Sequence, residues 1–462
     1  MRAPLLLILA LSACDGAGSE LCDDGFEPLT WYADADDDGY GDASDPGEVT
    51  CTPARDQVNA AGDCDDSNPD VFPDAPERCN GIDDNCDPSD DLTDGQVAFN
   101  GVPTDDLAGD LLRRDGAATV TICGTHDLSN LVIPSRITSV TFEGNPDGSS
   151  VLQTSGFDME WSTQLTLRDL QFDGVHLLFA PGQERLVKVM TLNNVEIVDG
   201  ARIEVGFAEG IVVDGLTGAG RLAAYSNELD IKNVDLGNLV VSGNGDVVDC
   251  SAEVLTVVNS VQVSDSEARR FLSVAGGPLL ENMTLTNLNG FEITPQGRTR
   301  FVNSPVGGPG SSDFKISGEQ GGVVEGLDFS GELLVLGNGG SVELRQPQLH
   351  DGGGIRAVGQ GTLRITGGTI TGQTGSPGSV LSTSDDNLVF DVIVRDTVIN
   401  GNGTSGVPLF QIDDRDTLEL NAAQIGTGAD ANTGTLIDFG GVQYDNTGEV
   451  SVTCEAGSCT EG

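Results

Sequence analysis

The sequence predicts an all-β protein, a solenoid of the right-handed parallel β-helix type behind a small, disulfide-tied loop module. Three observations carry that expectation. Glycine is abundant, at 63 of 462 residues, and aromatic residues make up only 5%, a turn-rich composition with small core side chains. Short segments of alternating apolar residues recur through most of the chain, with no helical periodicity between them. An Asp-rich, Cys-bearing stretch of different composition precedes them.

The repeats fix the solenoid. "LTLRDLQFDG" from Leu165, "MTLNNVEIVD" from Met190 and "LDIKNVDLGN" from Leu229 share apolar-x-apolar-x-(Asn/Asp)-x-x-apolar. Further copies begin at Leu255, Thr299, Val342, Leu363, Val392 and Leu418, and weaker ones at Val120, Val140, Ile211, Pro278 and Gly322. The period is imperfect and averages about 23 residues. A propeller blade needs four strands in forty-odd residues, and leucine-rich repeats need a helical half, so neither fits. Stacked coils with insertions in their loops do.

The fifth place of each copy is a candidate corner. It holds Asp169, Asn194, Gly215, Asn233, Asn259, Asn282, Asn303, Gly326, Gln346, Gly367, Asp396 and Ala422. Asn, Asp and Gly tolerate the left-handed backbone best, so this column marks a turn between strands where amides can bond coil to coil. It resembles the asparagine ladder of pectate-lyase-like β-helices, which implies a structural role for the column.

The acidic stretch carries the chemistry. In "DADDDGYGDASD", Asp34, Asp36 and Asp38 stand at alternate positions and Gly39 follows where a cation loop turns sharply. Tyr40 offers a backbone carbonyl, and Asp42 and Asp45 fall at the ninth and twelfth places. A loop coiled around an ion directs every second side chain inward, which converts carboxylate repulsion into coordination. No helical pattern flanks the loop, so it is similar to thrombospondin type 3 repeats rather than an EF-hand.

A second segment, "GDCDDSNPDVFPDAPERCNGIDDNCDPSDD", contributes Asp63, Asp65 and Glu77 as a second candidate set. Asp83, Asn85 and Asp87 begin a third, with Asp91 and Asp94 in later places; Pro88 weakens it by forbidding a glycine-type turn. Together, Trp31 to Asp87 resemble the metal-binding motif of MopE-like bacterial surface proteins, a family that includes a copper-binding secreted protein of methane oxidisers. The resemblance covers roughly 60 residues and departs from the motif at Asp74 and Pro88. It implies a metal. The oxygen-only donors point to Ca²⁺, and copper is the poorer guess because the chain's three His lie outside this stretch. So small a segment has almost nothing else to form a core, so its folding should depend on the ion.

The first residues, "MRAPLLLILALSAC", hold an apolar run too short to span a bilayer. They end in a Leu-Ser-Ala-Cys that resembles the bacterial lipobox, which implies cleavage before Cys14 and lipid on its sulfur. The organisation expected is a signal segment at 1–13, a tether at 14–30, the acidic module at 31–96, the β-helix at 97–450 and a C-terminal tail at 451–462. Clustered Cys in an exported, core-poor module indicate disulfides, with Cys79–Cys86 and Cys454–Cys459 the preferred local pairs. Cys123 and Cys250 read as buried thiols.

A net charge of −51 disfavours nucleic acid and anionic lipid headgroups as partners. Two function classes remain. One is a non-enzymatic, calcium-binding lipoprotein of the cell envelope, at the outer membrane or cell surface. Its lipid holds it to the membrane, and its β-helix displays a surface for a glycan or another protein. The other is a lipid-anchored polysaccharide lyase or glycoside hydrolase. The second needs converging acids or a basic residue with acids. The nearest candidates, "DGVH" at Asp173–His176 and "DDRD" at Asp413–Asp416, read instead as ordinary surface stretches.

Overall fold

The computed structural model describes Cys22 and residues 27–461 apart from short internal segments, the longest of which is 178–187. The expected leader and Cys14 therefore lie outside the described residues, as do Asp91, Asp94, Asp414 and the side chain of His176. The chain divides into two compact units, Met1–Asp94 with Gly101–Pro103, and Gly95–Asn100 with Thr104–Gly462. The described residues are nearly all β, with one short helix, Leu107–Arg113, whose first turn is capped by the Asp106 carboxylate. Among the described residues, no helix is long and apolar enough to cross a membrane.

The first unit is built from little. Leu29–Ala33 pairs antiparallel with Glu48–Thr50 on one side and Gln57–Val58 on the other. Gly41–Asp42 runs parallel to Ala61–Asp63. Its buried apolar side chains among the described residues are Val71, Ala75 and Leu92, and Tyr40 stacks on Phe72 with ring centroids 5.5 Å apart. Disulfides Cys22–Cys51 and Cys64–Cys86 replace the missing core. The local Cys79–Cys86 pair expected above does not form. Phe72 N–H donates to the Asp84 carbonyl at 2.9 Å, which lays the two stretches side by side and brings Cys64 within 5.7 Å of Cys86, Cα to Cα. Cys79 and Cys123 are each disulfide-bonded too, so Cys123 is not a thiol. Cys250 is the free, buried one among the described residues.

The second unit is a parallel β-helix of about 14 turns. Its rows repeat from coil to coil: Val140 pairs with Leu165, Leu165 with Met190 and Met190 with Ile211, each 0% exposed. Every second residue of each copy faces the core, which is why the apolar-x-apolar pattern recurs. The coil is closed by antiparallel strands at both ends. Val97–Phe99 pairs with Gly116–Ile122, and Gly448–Glu455 pairs with Thr417–Ile425. The stretch set apart as a C-terminal tail continues this cap, with Ser458–Glu461 folded back on Gly448–Glu455 and the Cys454–Cys459 disulfide across the pair. Such caps cover edges that would otherwise recruit other strands.

All twelve residues of the predicted corner column have positive φ, from 48° at Asn303 to 76° at Gly215. Eleven stack as expected. Asn259 does not: its Nδ2 donates to Ser242 Oγ at 3.1 Å, at another corner. Asp249 and Asp265, at φ 53° and 49°, take its place in the column. Ser251 pairs with Glu267 two residues on, and Asn282 Nδ2 donates to Asp265 at 2.9 Å.

Candidate metal centre

The acidic loop is held by its own side chains. Asp34 is buried, and its two oxygens accept the backbone N–H groups of Asp37 at 2.8 Å and Gly39 at 3.2 Å. Gly39 turns the chain at φ 99°. The Asp38 N–H donates to Asp36 Oδ1, and the Tyr40 N–H donates to Asp38 Oδ1 at 2.7 Å. Across the parallel pairing, the Asp65 N–H donates to Asp63 Oδ1 at 2.8 Å. Each of these three Asx-type turns fixes a carboxylate by one oxygen and leaves the other to face inward.

Those inward oxygens lie in a cluster of acids. Asp36 Oδ2, Asp38 Oδ2 and Asp63 Oδ2 are buried and have no hydrogen-bond partner. Asp36, Asp38 and Asp63 present oxygens that all lie within 4.8 Å of one another, and so do Asp34, Asp36 and Asp66. Asp63 is only 1% exposed. Buried carboxylate oxygens without donors are costly, and nothing in this cluster is cationic. Burial pushes the Asp36 and Asp63 carboxyls above the usual range; the backbone N–H groups of Asp38 and Asp65 oppose the rise, and the neighbouring carboxylates add to it. A metal cation would supply the missing partner. The donor set fits one: five carboxylates and no nitrogen, three of them, Asp36, Asp38 and Asp63, held by turns that keep one oxygen free.

The strand pairing explains why Asp63 joins the first loop rather than opening a second one. Gly41 N–H donates to the Ala60 carbonyl and Ala43 N–H to the Asp63 carbonyl. Gly41 also lies against Tyr32 and Ala33, where a Cβ would meet Tyr32 Cβ at 2.5 Å, so only glycine fits between the first strand and this loop.

The other ligands expected from spacing are placed elsewhere by the fold. Asp45, assigned the twelfth position, instead accepts the N–H groups of Ala33 at 2.8 Å and Gly47 at 3.0 Å, which holds its carboxyl below the usual range. The short Asp side chain is used up closing the loop's neck. Asp42 Oδ1 accepts the Ser44 N–H, and Asp65 is an exposed turn residue whose Oδ1 accepts the Ser67 hydroxyl. Tyr40 contributes its N–H to Asp38 and its ring to Phe72.

In the third stretch, Glu77 Oε1 accepts the Asn85 N–H and Asn85 Oδ1 accepts the Asp87 N–H, both at 2.8 Å. The buried residue there is Asp84, at 1% exposed, whose Oδ2 accepts the Arg78 N–H. Asp83, Asn85, Asp87 and Glu77 join no group of three clustered ligands among the described residues. One member of the cluster, Asp66, was missed by alternate spacing. The doubled acids of "CDD" are the signal that could have found it.

One further group, Asp63 with the sulfurs of Cys64 and Cys86, has ligand spacing. Its sulfurs are joined in a disulfide and offer no thiolate.

On the solenoid, a groove of about 600 Å³ is lined by Asp199, Asp235, Glu253, Glu267 and Arg269, together with Leu236 and several small residues. Arg269 lies 3.5 Å from Glu253.

The fold and site define an all-β protein in which a metal-binding module precedes a parallel β-solenoid. The family model Cu-binding_MopE, described as a "Putative metal-binding motif", matches residues 63–91. The match begins at the buried Asp63 and spans the Cys64–Cys86 disulfide, leaving Asp34–Asp45 outside it. Comparison with curated proteins and with solved structures finds no match.

Proposed function

We propose that this chain is a lipid-anchored protein of the bacterial cell envelope, without catalytic activity, whose Asp-rich module binds calcium and whose β-helix serves as a binding or structural surface. One observation carries the reading: three buried, unpartnered carboxylate oxygens converge from two loops. An oxygen-only donor set supports a hard cation, and Ca²⁺ accepts six to eight such ligands in irregular geometry where Mg²⁺ demands an octahedron. Copper is disfavoured because the nearby sulfurs are oxidised and the three His fall outside residues 31–96. The Leu11–Cys14 motif supports the lipid anchor. The acid-lined groove supports a ligand for the solenoid, such as a glycan or a surface protein.

Calorimetric titration of the soluble Cys14→Ser chain tests the cation. Calcium should bind with a Kd on the order of 10⁻⁴–10⁻³ M, as in extracellular modules, and should protect residues 31–96 from proteolysis. No heat with calcium, or tighter stoichiometric binding of Cu²⁺, defeats the reading. Mass spectrometry of the mature chain tests the anchor, which fails if Cys14 carries no lipid.

A further inference from the structure

The Cys64–Cys86 disulfide sits directly against the cation cluster. Cys64 follows Asp63 in sequence, and the Cys64 N–H points at Cys86 Sγ, 3.1 Å away. One oxygen of Asp63 and both sulfurs lie within 4.8 Å of one another, the spacing of ligands on a single ion. Asp63 thus belongs to two groups at once: an all-oxygen group with Asp36 and Asp38, and an oxygen–sulfur group with Cys64 and Cys86. The second has no thiolate while the sulfurs are bonded to each other. Cys64 is exposed, so a reductant has access to it.

We propose that this disulfide is a redox gate that decides which class of cation Asp63 serves. With the bond closed, Asp63 completes the hard-cation cluster. With it open, Cys64, Cys86 and Asp63 form a site for a soft or borderline ion, Zn²⁺ or Cu⁺, and Asp63 leaves the calcium cluster. The proposal rests on the calcium reading for its first half only.

The chemistry balances with a dithiol as reductant. Its two thiols give two electrons and two protons to the Cys64–Cys86 bond, so that the dithiol becomes a cyclic disulfide and the protein gains two thiols. Binding of the metal ion then displaces the two thiol protons to solvent. The geometry needs little rearrangement. Two thiolates at Zn–S of about 2.3 Å in a tetrahedron place their sulfurs about 3.7 Å apart, which the 5.7 Å Cα separation accommodates. The Asp83 carbonyl oxygen lies 3.6 Å from Cys64 Sγ, on hand as a fourth donor or as the anchor of a bound water.

The test follows Co²⁺ by its near-ultraviolet thiolate charge-transfer absorption, and calcium by calorimetry, in the full soluble chain. The oxidised chain should bind calcium and give no thiolate band with Co²⁺. After anaerobic dithiol reduction, one equivalent of Co²⁺ should give the band, Zn²⁺ should abolish it by displacement, and zinc-loaded chain should bind calcium at least tenfold more weakly. Cys64→Ser/Cys86→Ser should lose the band. No band on reduction, or the same band in the double variant, overturns the sulfur site. Calcium affinity unchanged by zinc in the reduced chain overturns the exchange. Absence of calcium binding in the oxidised chain strikes the proposed function instead, and is read separately from the cobalt band.

Discussion

Asp36 and Asp63 hold carboxylate oxygens within 4.8 Å of each other although they come from separate loops, and each has an oxygen that is buried without a partner. That closeness is produced by backbone pairing, Asp42 opposite Asp63, rather than by any attraction between the acids. The fold therefore holds like charges together at a cost that an ion offsets.

Asp63→Asn separates the two consequences. It keeps the shape and an oxygen but removes a charge, so calcium affinity should fall at least tenfold. In chelator the same variant should be the more stable one, because it removes the charge that burial and the neighbouring carboxylates disfavour. Calcium calorimetry and urea unfolding in EGTA measure both. A variant less stable than the parent in EGTA contradicts the repulsion.

The pH dependence of the calcium-free chain follows from the same groups. Asp36 and Asp63 have folded pKa values raised above 3.8 by burial, so the native state binds their protons more tightly than the unfolded state does. Their penalty is full at pH above those raised values and is relieved as pH falls through them towards 3.8. Asp45 runs the other way: its stabilisation holds above the ordinary value and is lost as pH falls below it. In calcium-stripped buffer without added chelator, the first unit should therefore need more urea to unfold as pH falls from 7 towards the ordinary carboxylate range. A midpoint that only falls with pH contradicts the raised direction.

The corner column gives a pair of opposite substitutions. Asn194 sits at φ 50° and its Nδ2 donates to Asp169 Oδ1 at 2.7 Å. Asn194→Leu should destabilise the solenoid by about 2–3 kcal/mol, summing a lost hydrogen bond and a left-handed residue with a bulky Cβ. Ala422 is held at φ 51°. Ala422→Gly should stabilise by roughly 0.5–1 kcal/mol, since glycine alone adopts that geometry without steric cost. Chemical denaturation of each variant decides, and a destabilised Ala422→Gly contradicts the corner argument.

What the sequence could show depends on the range of the forces involved. The solenoid was legible because each coil repeats one local pattern, with inward apolar residues at alternate positions and a small polar residue at the corner. Asn259 was misassigned because "LTVVNS" carries that pattern while the coil there is shorter than average, so Asp249 and Asp265 fall in register instead. Of the cation site, Asp34, Asp36 and Asp38 were legible as a local loop. The role of Asp63, the diversion of Asp45 to the Ala33 and Gly47 N–H groups, and the Cys64–Cys86 pair arise from non-local pairing that spacing does not encode.

A second amide ladder also escaped, because it has few members and a long step. Gln373 and Asn402, 2% and 1% exposed, follow Gly372 and Gly401 in the sequence, and Asn432 continues the series. Gly354 N–H donates to Gln373 Oε1, Gln373 N–H to Asn402 Oδ1 and Asn402 N–H to Asn432 Oδ1, at 2.8, 2.9 and 2.9 Å. Asn402 Nδ2 also donates to the Ile370 carbonyl at 2.8 Å. Each amide thus satisfies backbone groups of its neighbours inside the coil, where water cannot replace it. Asn402→Ala strips the Gln373 N–H and the Ile370 carbonyl of these partners at once, and should cost about 2–4 kcal/mol. The lost hydrogen bonds should cost more here than at the exposed Asn194, whose partner can turn to solvent. Hydrogen exchange gives the local reading: the amide of Gln373 should lose protection in Asn402→Ala while that of Leu192, several coils away, keeps it. Equal loss at both would mean global unfolding rather than a broken rung, and a cost below about 2 kcal/mol would remove the ladder's claim to hold these coils.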